Sequence, residues 1–203
     1  MAIKPILFNG EMVRAILDGR KICTRRLVKH NVDAVLNSPY HMEHPETEDV
    51  WLIKRLCRAP YDPGDILYVR ETWDWDPDNE VAKTYYYKAD GDLRPEGYKG
   101  MGWLPSIHMP KEAARIWLKV TDVRVERLQD ITAEQILKEG IGLTQDMIES
   151  VKEMKEHCDI PFAATWNHTL KKSDLDRYGW EANPYVFVIE FVKIDKPEEI
   201  QNA

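Results

Sequence analysis

The sequence predicts an α+β fold in which about six strands form a small mixed β-barrel with helices at its sides. Short apolar, β-branched runs open and close the chain, and helical patterns interrupt the series of strands between them. This order differs from the regular strand–helix alternation of a parallel sheet. The length of 203 residues suits one domain, so we expect residues 1–203 to fold as a single unit.

The first half of the chain begins with a strand at residues 6–8 and a helix that Asn9 can cap. Met12, Val13, Ile16 and Leu17 recur at helical spacing, and a glycine at position 19 stands where a helix ends. Residues 21–27 are predicted to turn and then extend. Further strands are predicted at residues 50–56 and 66–69, separated by a Pro-Gly turn at residues 61–65.

The second half contains the longest predicted strand, at residues 115–128, after a shorter one at 84–89. Thr132 and Gln135 form a capping-box pattern that opens a helix ending at Gly140. Helices are also predicted at 144–157 and 162–170, and residues 185–194 form the closing strand. Residues 31–49 and 141–160 are interpreted as insertions. Four tryptophans are predicted to be core residues: Trp51, Trp117, Trp166 and Trp180. The alternation of Trp73 and Trp75 predicts that one of them is buried and the other exposed.

Composition and charge narrow the class of function. The net charge is −7, which favours a small ligand in a pocket over extended binding of a nucleic acid backbone. The three cysteines have no CxxC spacing, so neither a disulfide framework nor a zinc site is predicted, and no metal or organic cofactor is expected. No apolar run is long enough to span a bilayer, and the N-terminus lacks a signal-peptide pattern, so the expected location is cytoplasmic and off the membrane. The sequence leaves the oligomeric state open.

Several segments together resemble one family. Residues 19–26 (GRKICTRR) match the pattern G-x-K-x-x-T-x-R of ASCH domains, and residues 63–73 (PGDILYVRETW) resemble the family's later strand, which ends in a glutamate. Residues 103–110 (WLPSIHMP), 113–115 (AAR), 123–126 (VRVE) and 183–186 (NPYV) resemble a longer subgroup found in bacteriophages and prophages. The order and spacing of these segments carry the resemblance.

The resemblance implies a PUA-like barrel with a cleft beside the first helix. Some small members of the family are amidohydrolases that remove an acyl group from the exocyclic amine of cytidine. Their lysine, threonine and glutamate correspond to Lys21, Thr24 and Glu71 in this chain. The resemblance therefore implies hydrolysis of N(4)-acetylcytidine or a related nucleoside, with Thr24 as nucleophile. This chain is much longer than those small enzymes, so the shape of the pocket and the substrate can differ.

The chemistry sets conditions on these three residues. A hydroxyl needs a partner base to act as a nucleophile, and Lys21 can face Thr24 only if residues 21–24 turn. Lys21 must lose a proton to be that base, which requires its pKa to fall by about 3 units. Two arrangements are open: a neutral Lys21 with a protonated Glu71, or a charged Lys21 that stabilises the oxyanion with Glu71 as base.

The remaining predicted site residues bind substrate. Trp73 and Trp103 could stack on the base, Arg26 could hold a polar group, and Ser106 and His108 could reach base or sugar atoms. Each also has a structural interpretation, as a core aromatic, a surface charge or a hydrogen-bonded histidine. A non-catalytic RNA-binding module is the alternative function, because a cluster of basic residues spans positions 20–30. A nuclease is less favoured, since no metal site is evident.

Overall fold

The computed structural model describes residues 1–77, 84–141 and 159–198, which form a mixed α+β fold. The strands of these residues are β1 (Ile3–Leu7), β2 (Cys23–Leu27), β3 (Ile66–Arg70), β4 (Trp73–Trp75), β5 (Tyr85–Tyr87), β6 (Trp117–Arg127) and β7 (Tyr185–Ile194). Five of them form one sheet in the order β1-β3-β6-β7-β2, and β4 pairs with β5 in a separate hairpin. The predicted α+β class is confirmed.

The prediction of a closed barrel is wrong. β1 and β2 are the two edges of the five-stranded sheet, and within the described residues no ladder joins them. The chain connects them through α1 (Gly10–Leu17), whose Val13 and Ile16 are buried in the same core cluster as Ile6 of β1. A helix packed on the core, rather than a strand, therefore follows β1 in the chain. The Arg26 side chain of β2 reaches the end of β1, where it donates to the carbonyl oxygen of Leu7 at 3.1 Å.

The other α-helices of the described ranges are α2 (Val32–Leu36), α3 (Pro39–Glu43), α4 (Asp49–Leu56), α5 (Ala133–Lys138), α6 (Asp159–His168) and α7 (Leu175–Tyr178). α1 and α5 begin as predicted. The Asn9 side chain accepts from the amide of Met12, and Thr132 and Gln135 form the full capping box. These caps satisfy backbone N–H groups that a helix start leaves without partners.

Residues 50–56 were predicted to be a strand, and this prediction is wrong because they belong to α4. Leu52, Ile53 and Cys57 are buried on one side of the helix, whereas Trp51 is 49% exposed, so the prediction of a core Trp51 is wrong as well. Apolar residues would lie on both faces of the segment if it were a strand, so its pattern fits a strand or a helix. The helix forms because its apolar side packs against the main core. The preceding residues 31–49 form α2 and α3, and Val32, Val35 and Leu36 pack against that core.

In the part of the chain that the structure describes, the core has three parts. The largest lies between the sheet, α1 and α4; the second surrounds Trp73, Met109 and Trp117 beside the hairpin; the third surrounds Phe162, Trp166 and Trp180. The core positions predicted for Trp117, Trp166 and Trp180 are confirmed, and of the alternating pair Trp73 is buried while Trp75 is half-buried. β6 and β7 form the long antiparallel ribbon at the centre, with a register shift between Val120 and Asp122. The predicted helix at 144–157 lies outside the described residues, as does nearly all of the insertion predicted at 141–160.

Candidate active site

A cleft of about 740 Å³ opens beside α1 and β2 and reaches the end of α5 and one face of α6. Its size falls in the usual range for small-ligand sites. We call it the basic cleft because of the cations among its lining residues, which are Arg14, Arg20, Arg25, Arg26 and Lys29. Glu11, Asp18 and Glu139 also line it, so the positive charge is partly balanced. Thr24 is the member of the predicted catalytic trio that lines this cleft.

Lys21 is held behind the wall of the cleft by Glu139. Its ammonium nitrogen lies 2.7 Å from Glu139 Oε2 and 2.9 Å from the Glu139 carbonyl oxygen, and its side chain is fully buried. The Phe8 ring lies beneath the ammonium, 5.6 Å from its centroid. The Lys21 ammonium and the Glu139 carboxylate form a buried ion pair in which each group is the partner of the other.

Glu139 also binds a second cation. Its Oε1 accepts from Arg25 at 3.1 Å, and Arg25 donates in addition to Gln135 Oε1 at 2.9 Å and to Glu126 Oε2 at 3.3 Å. Arg25 and Glu139 are both buried. This arrangement ties β2 to the C-terminal end of α5, because a buried carboxylate between two cations is satisfied only when both are present.

Gly140 makes room for this contact. Its φ is +73°, a left-handed conformation that favours glycine, and a Cβ placed there would lie 2.6 Å from Lys21 Cβ and 2.8 Å from Ala15 Cβ. The residue that ends α5 therefore lets the helix terminus approach Lys21 closely. The backbones of Lys21 and Glu139 form an isolated antiparallel bridge at the same point.

Thr24 is buried in β2, and its hydroxyl oxygen accepts from Arg26 Nη1 at 2.9 Å. Thr24 and Arg26 are two positions apart in a strand and therefore share one face of the sheet. The Arg26 guanidinium also lies over the Phe8 ring, 5.3 Å from its centroid. Burial lowers the pKa of Arg26, while Glu139 and Tyr61 act in the opposite direction. Phe8 is thus a common neighbour of Lys21 and Arg26.

Glu71 has a different set of partners. Its carboxylate, which is 0% exposed, is bound at both oxygens by Arg115, at 2.9 and 3.1 Å, and Arg115 also binds Asp90 and stacks over Tyr87. Burial raises the pKa of Glu71, with the bonds to Arg115 acting in the opposite direction. Within the described residues, no hydrogen bond joins Glu71 to Lys21 or Thr24. The preceding residue, Arg70, accepts at its carbonyl oxygen from the amide of Phe8, the residue whose ring contacts Lys21 and Arg26.

The predicted substrate-binding residues separate into two groups. Arg26 lies in the basic cleft, whereas Trp73, Trp103, Ser106 and His108 do not line it. Trp73 is buried in the second core cluster. The Arg94 guanidinium carbon lies over the Trp103 ring, 4.2 Å from its centroid. Ser106 and His108 belong to one 3-10 turn, with His108 exposed. The aromatic side chains that line the cleft are Phe162 and Trp166 of α6.

Sequence reasoning missed Glu139, the partner of Lys21. Its position at the end of the α5 helix was predicted, since the capping box and Gly140 mark that helix, but its contact with residue 21 spans 118 positions. It also missed Phe162 and Trp166 as cleft residues, although their helical spacing was recognised. Nothing local in the sequence indicates which face of α6 meets β2.

Within the described ranges, no helix combines the length and the apolar character needed to cross a membrane. No family model and no curated protein matches the chain. Two solved structures match. An ASCH domain from Lactobacillus crispatus JV V101 is 8% identical, covers 96% of this chain and 81% of its own, and has a TM-score of 0.41. Hypothetical protein PH0355 is 15% identical, covers 96% of this chain and 100% of its own, and has a TM-score of 0.38. The first is an ASCH domain, the family that the sequence motifs resemble; both likenesses concern the fold, and neither bears on function.

Proposed function

We propose that this protein is an amidohydrolase that removes the acyl group from the exocyclic amine of N(4)-acetylcytidine or a related nucleoside, with the basic cleft as its active site. One observation carries the proposal: the buried Thr24 hydroxyl lines a ligand-sized cleft and is bonded at 2.9 Å to the Arg26 guanidinium, beside the buried Lys21–Glu139 pair. A hydroxyl in this setting has a cationic partner, Arg26, that stabilises negative charge on its oxygen.

In the proposed reaction, Thr24 Oγ1 attacks the acyl carbonyl carbon and its proton passes to the departing nitrogen. The C–N bond breaks, cytidine leaves with its free amine, and an acyl-threonine ester remains. Water then hydrolyses that ester, so one acylcytidine and one water give cytidine and a carboxylic acid. The hydrogen bond that Arg26 donates to Oγ1 favours the deprotonated oxygen, because bonds to an ionised form lower its energy.

Of the two arrangements open from the sequence, the contacts of Lys21 support the one in which it stays charged. Its ammonium is bonded to the carboxylate and the carbonyl oxygen of Glu139, and within the described residues it has no hydrogen bond to Thr24 Oγ1, whose proton a base would have to accept. A fixed positive charge in a buried site stabilises the oxyanion of the tetrahedral intermediate more strongly than the same charge in water. Lys21 is therefore proposed to act as a charge stabiliser rather than as the base.

Glu71 is proposed as the proton shuttle, as the motif implies. Burial raises its pKa, which is the direction that a general acid–base group at neutral pH requires. Arg115 occupies both carboxylate oxygens in the free protein, and an ionised carboxylate has about four lone-pair sites, so each oxygen retains acceptor capacity. The alternative role for Glu71 is to hold Arg115 in place, and the variants below separate the two.

The test is release of cytidine from N(4)-acetylcytidine by the purified chain, compared with Thr24→Val, Lys21→Met and Glu71→Gln. The proposal expects Thr24→Val to lose at least about 100-fold in kcat and Thr24→Ser to retain most of it. Lys172→Ala, on an exposed turn and not among the residues that line the cleft, is the matched control. Wild-type rates in Thr24→Val would exclude Thr24 as nucleophile, and wild-type rates in Glu71→Gln would leave Glu71 with the structural role only.

A further inference from the structure

A second basic cavity lies beside the C-terminal end of α4, on a part of the surface that the proposed hydrolysis does not use. Its volume is about 520 Å³, and its lining includes Lys4, Lys54, Arg55 and Arg58. One carboxylate residue, Asp62, lines it as well. Four cations at one cavity are a local excess in a chain of net charge −7. Such a concentration of positive charge favours an anionic ligand.

Two of the four cations are already bonded within the protein. Lys4 pairs with Asp65 at 2.7 Å, and Lys54 donates to the carbonyl oxygen of Val123 at 2.6 Å. Arg55 and Arg58 are exposed, and across the described ranges neither guanidinium has a hydrogen-bond or ion-pair partner. Each guanidinium carries five N–H donors arranged for bidentate contact with phosphate. The free donors of the cavity are therefore those of these two arginines.

The contrast with the basic cleft is informative. Of the cations that line that cleft, Arg25 binds Glu139, Arg26 binds Thr24 and Leu7, Arg20 binds Asp18, and Arg14 binds the carbonyl oxygen of Ala89. Lys29 alone among them is without a partner in the described residues. Cations that are already paired within the protein displace few counterions from a polyanion, whereas unpaired cations displace more. The surface at α4 is thus better suited to phosphate groups than the cleft is.

Arg58 is held in an unusual backbone conformation. Its φ is +35°, a region that residues other than glycine enter rarely and at a cost. The bend directs the chain away from α4 directly after its last turn. The helix C-terminus attracts cations, which accounts for basic residues near it, but the guanidinium N–H groups remain unbonded.

An exposed aromatic residue adds a second element to this surface. Trp51 is 49% exposed, and it precedes Arg55 by four positions and Arg58 by seven. Trp51 and Arg55 both belong to α4, and residues four positions apart in a helix lie on one face. Arg58 follows the end of α4 and lines the same cavity as Arg55. An exposed indole next to unpaired guanidinium groups is the combination that binds single-stranded nucleic acid, in which a base stacks on the ring and phosphates pair with the cations.

The geometry points to a binding surface for single-stranded RNA formed by Trp51, Arg55 and Arg58, separate from the basic cleft. Trp51 stacks on one base, and the two arginines bind neighbouring phosphates. A duplex keeps its bases stacked within the helix and does not offer a free face to the indole. The surface therefore binds single strands in preference to duplexes. It also distinguishes RNA from inorganic polyphosphate, which has no base to stack.

The experiment measures fluorescence anisotropy of a fluorescein-labelled, unmodified oligoribonucleotide of about ten residues, a length within the usual site size. It uses the full chain, and because the probe has no acyl group the result does not depend on hydrolysis. Trp51→Ala is expected to weaken binding about tenfold. Arg55→Ala with Arg58→Ala is expected to weaken it by a similar factor and to reduce the slope of log affinity against log salt by about 1.4.

The control is Lys172→Ala with Arg177→Ala, which removes two exposed positive charges elsewhere and is expected to leave the affinity within about twofold. Circular dichroism establishes that each variant is folded. Unchanged affinity in both test variants, with the control equally unchanged, overturns the proposal. So does tighter binding of polyphosphate, of duplex RNA or of phosphatidylglycerol vesicles than of the single strand, since each would show that Trp51 does not stack on a base.

Discussion

Lys21 and Glu139 are joined by two hydrogen bonds from one ammonium group, to the carboxylate at 2.7 Å and to the carbonyl oxygen at 2.9 Å, across 118 positions of sequence. Both side chains are buried. The pair connects the start of β2 to the end of α5 and forms the wall behind Thr24. The proposed role of Lys21 as a charge stabiliser depends on this ion pair.

Removing the Glu139 charge is expected to destabilise the protein. Glu139→Gln leaves two buried cations, Lys21 and Arg25, with one neutral acceptor, and breaking a buried pair in this way costs about 3 kcal/mol. Lys21→Met combined with Glu139→Gln should cost less than the sum of the single variants, because the partners act as a unit. Urea unfolding measures both. Glu134→Gln, exposed on the same helix, is the control and should shift stability by under about 0.5 kcal/mol. Additive costs would contradict the coupling.

The tight approach at Gly140 makes a second prediction. Gly140→Ala should lose about 1 kcal/mol of stability because its backbone is left-handed, and more because the added Cβ would lie 2.6 Å from Lys21 Cβ. Gly19→Ala should lose only the stability that the left-handed backbone costs, since φ is +74° there and no atom lies within 4 Å of the added Cβ. Gly140→Ala should therefore be the more destabilising by at least about 1 kcal/mol, and it should lower kcat by displacing Lys21. Equal stability of the two variants would show that the end of α5 can move away from Lys21 without cost.

Glu71 predicts a pH dependence of stability. Burial raises its pKa, so the folded protein binds this proton more tightly than the unfolded chain does. The resulting stabilisation is fully present below the ordinary glutamate pKa and is lost as the pH rises through the raised value. Glu71→Gln cannot titrate, so its unfolding free energy relative to wild type should increase as the pH rises from about 4 to 7. Glu96→Gln, at an exposed position, controls for the change in net charge. A relative stability that falls over the same range would mean that Arg115 outweighs burial.

Cys23 should be unreactive in the folded protein. Burial raises the pKa of its thiol to about 12, with the Glu139 carboxylate adding to the effect, and only the thiolate reacts with alkylating agents. Iodoacetamide at about pH 8 should leave Cys23 unmodified in buffer and modify it in urea, as read by mass spectrometry of the peptide. Rapid modification in buffer would indicate that β2 opens at this position and that the wall behind the cleft is not held closed.

Local signals were sufficient for much of the fold. Asn9 and the Thr132–Gln135 box form the predicted caps, and the β-branched run of β6 is the predicted long strand. These features depend on neighbours within a few residues. α4 was mistaken for a strand because its apolar residues fit both periods, and only packing of Ile53 and Cys57 on the main core distinguishes them.

The candidate site was less predictable for the same physical reason. The motif at residues 19–26 indicated Lys21, Thr24 and Arg26. In the structure, Lys21 and Arg26 both contact the Phe8 ring, and Thr24 is hydrogen-bonded to Arg26. The side-chain partners of the predicted catalytic residues are distant in sequence: Glu139 for Lys21, and Arg115 for Glu71. Burial and ion pairing, which determine pKa, are properties of the folded chain that no local pattern reports.

The central claim is that the Thr24 oxygen is the nucleophile of the basic cleft. Intact-protein mass spectrometry of a reaction with N(4)-acetylcytidine, quenched in acid during turnover, tests it most directly. The account predicts that a fraction of the chain gains the mass of one acetyl group, that peptide fragmentation assigns it to Thr24, and that Thr24→Val shows neither the adduct nor cytidine release. Release of cytidine by Thr24→Val at the wild-type rate, with no adduct on either protein, would contradict it.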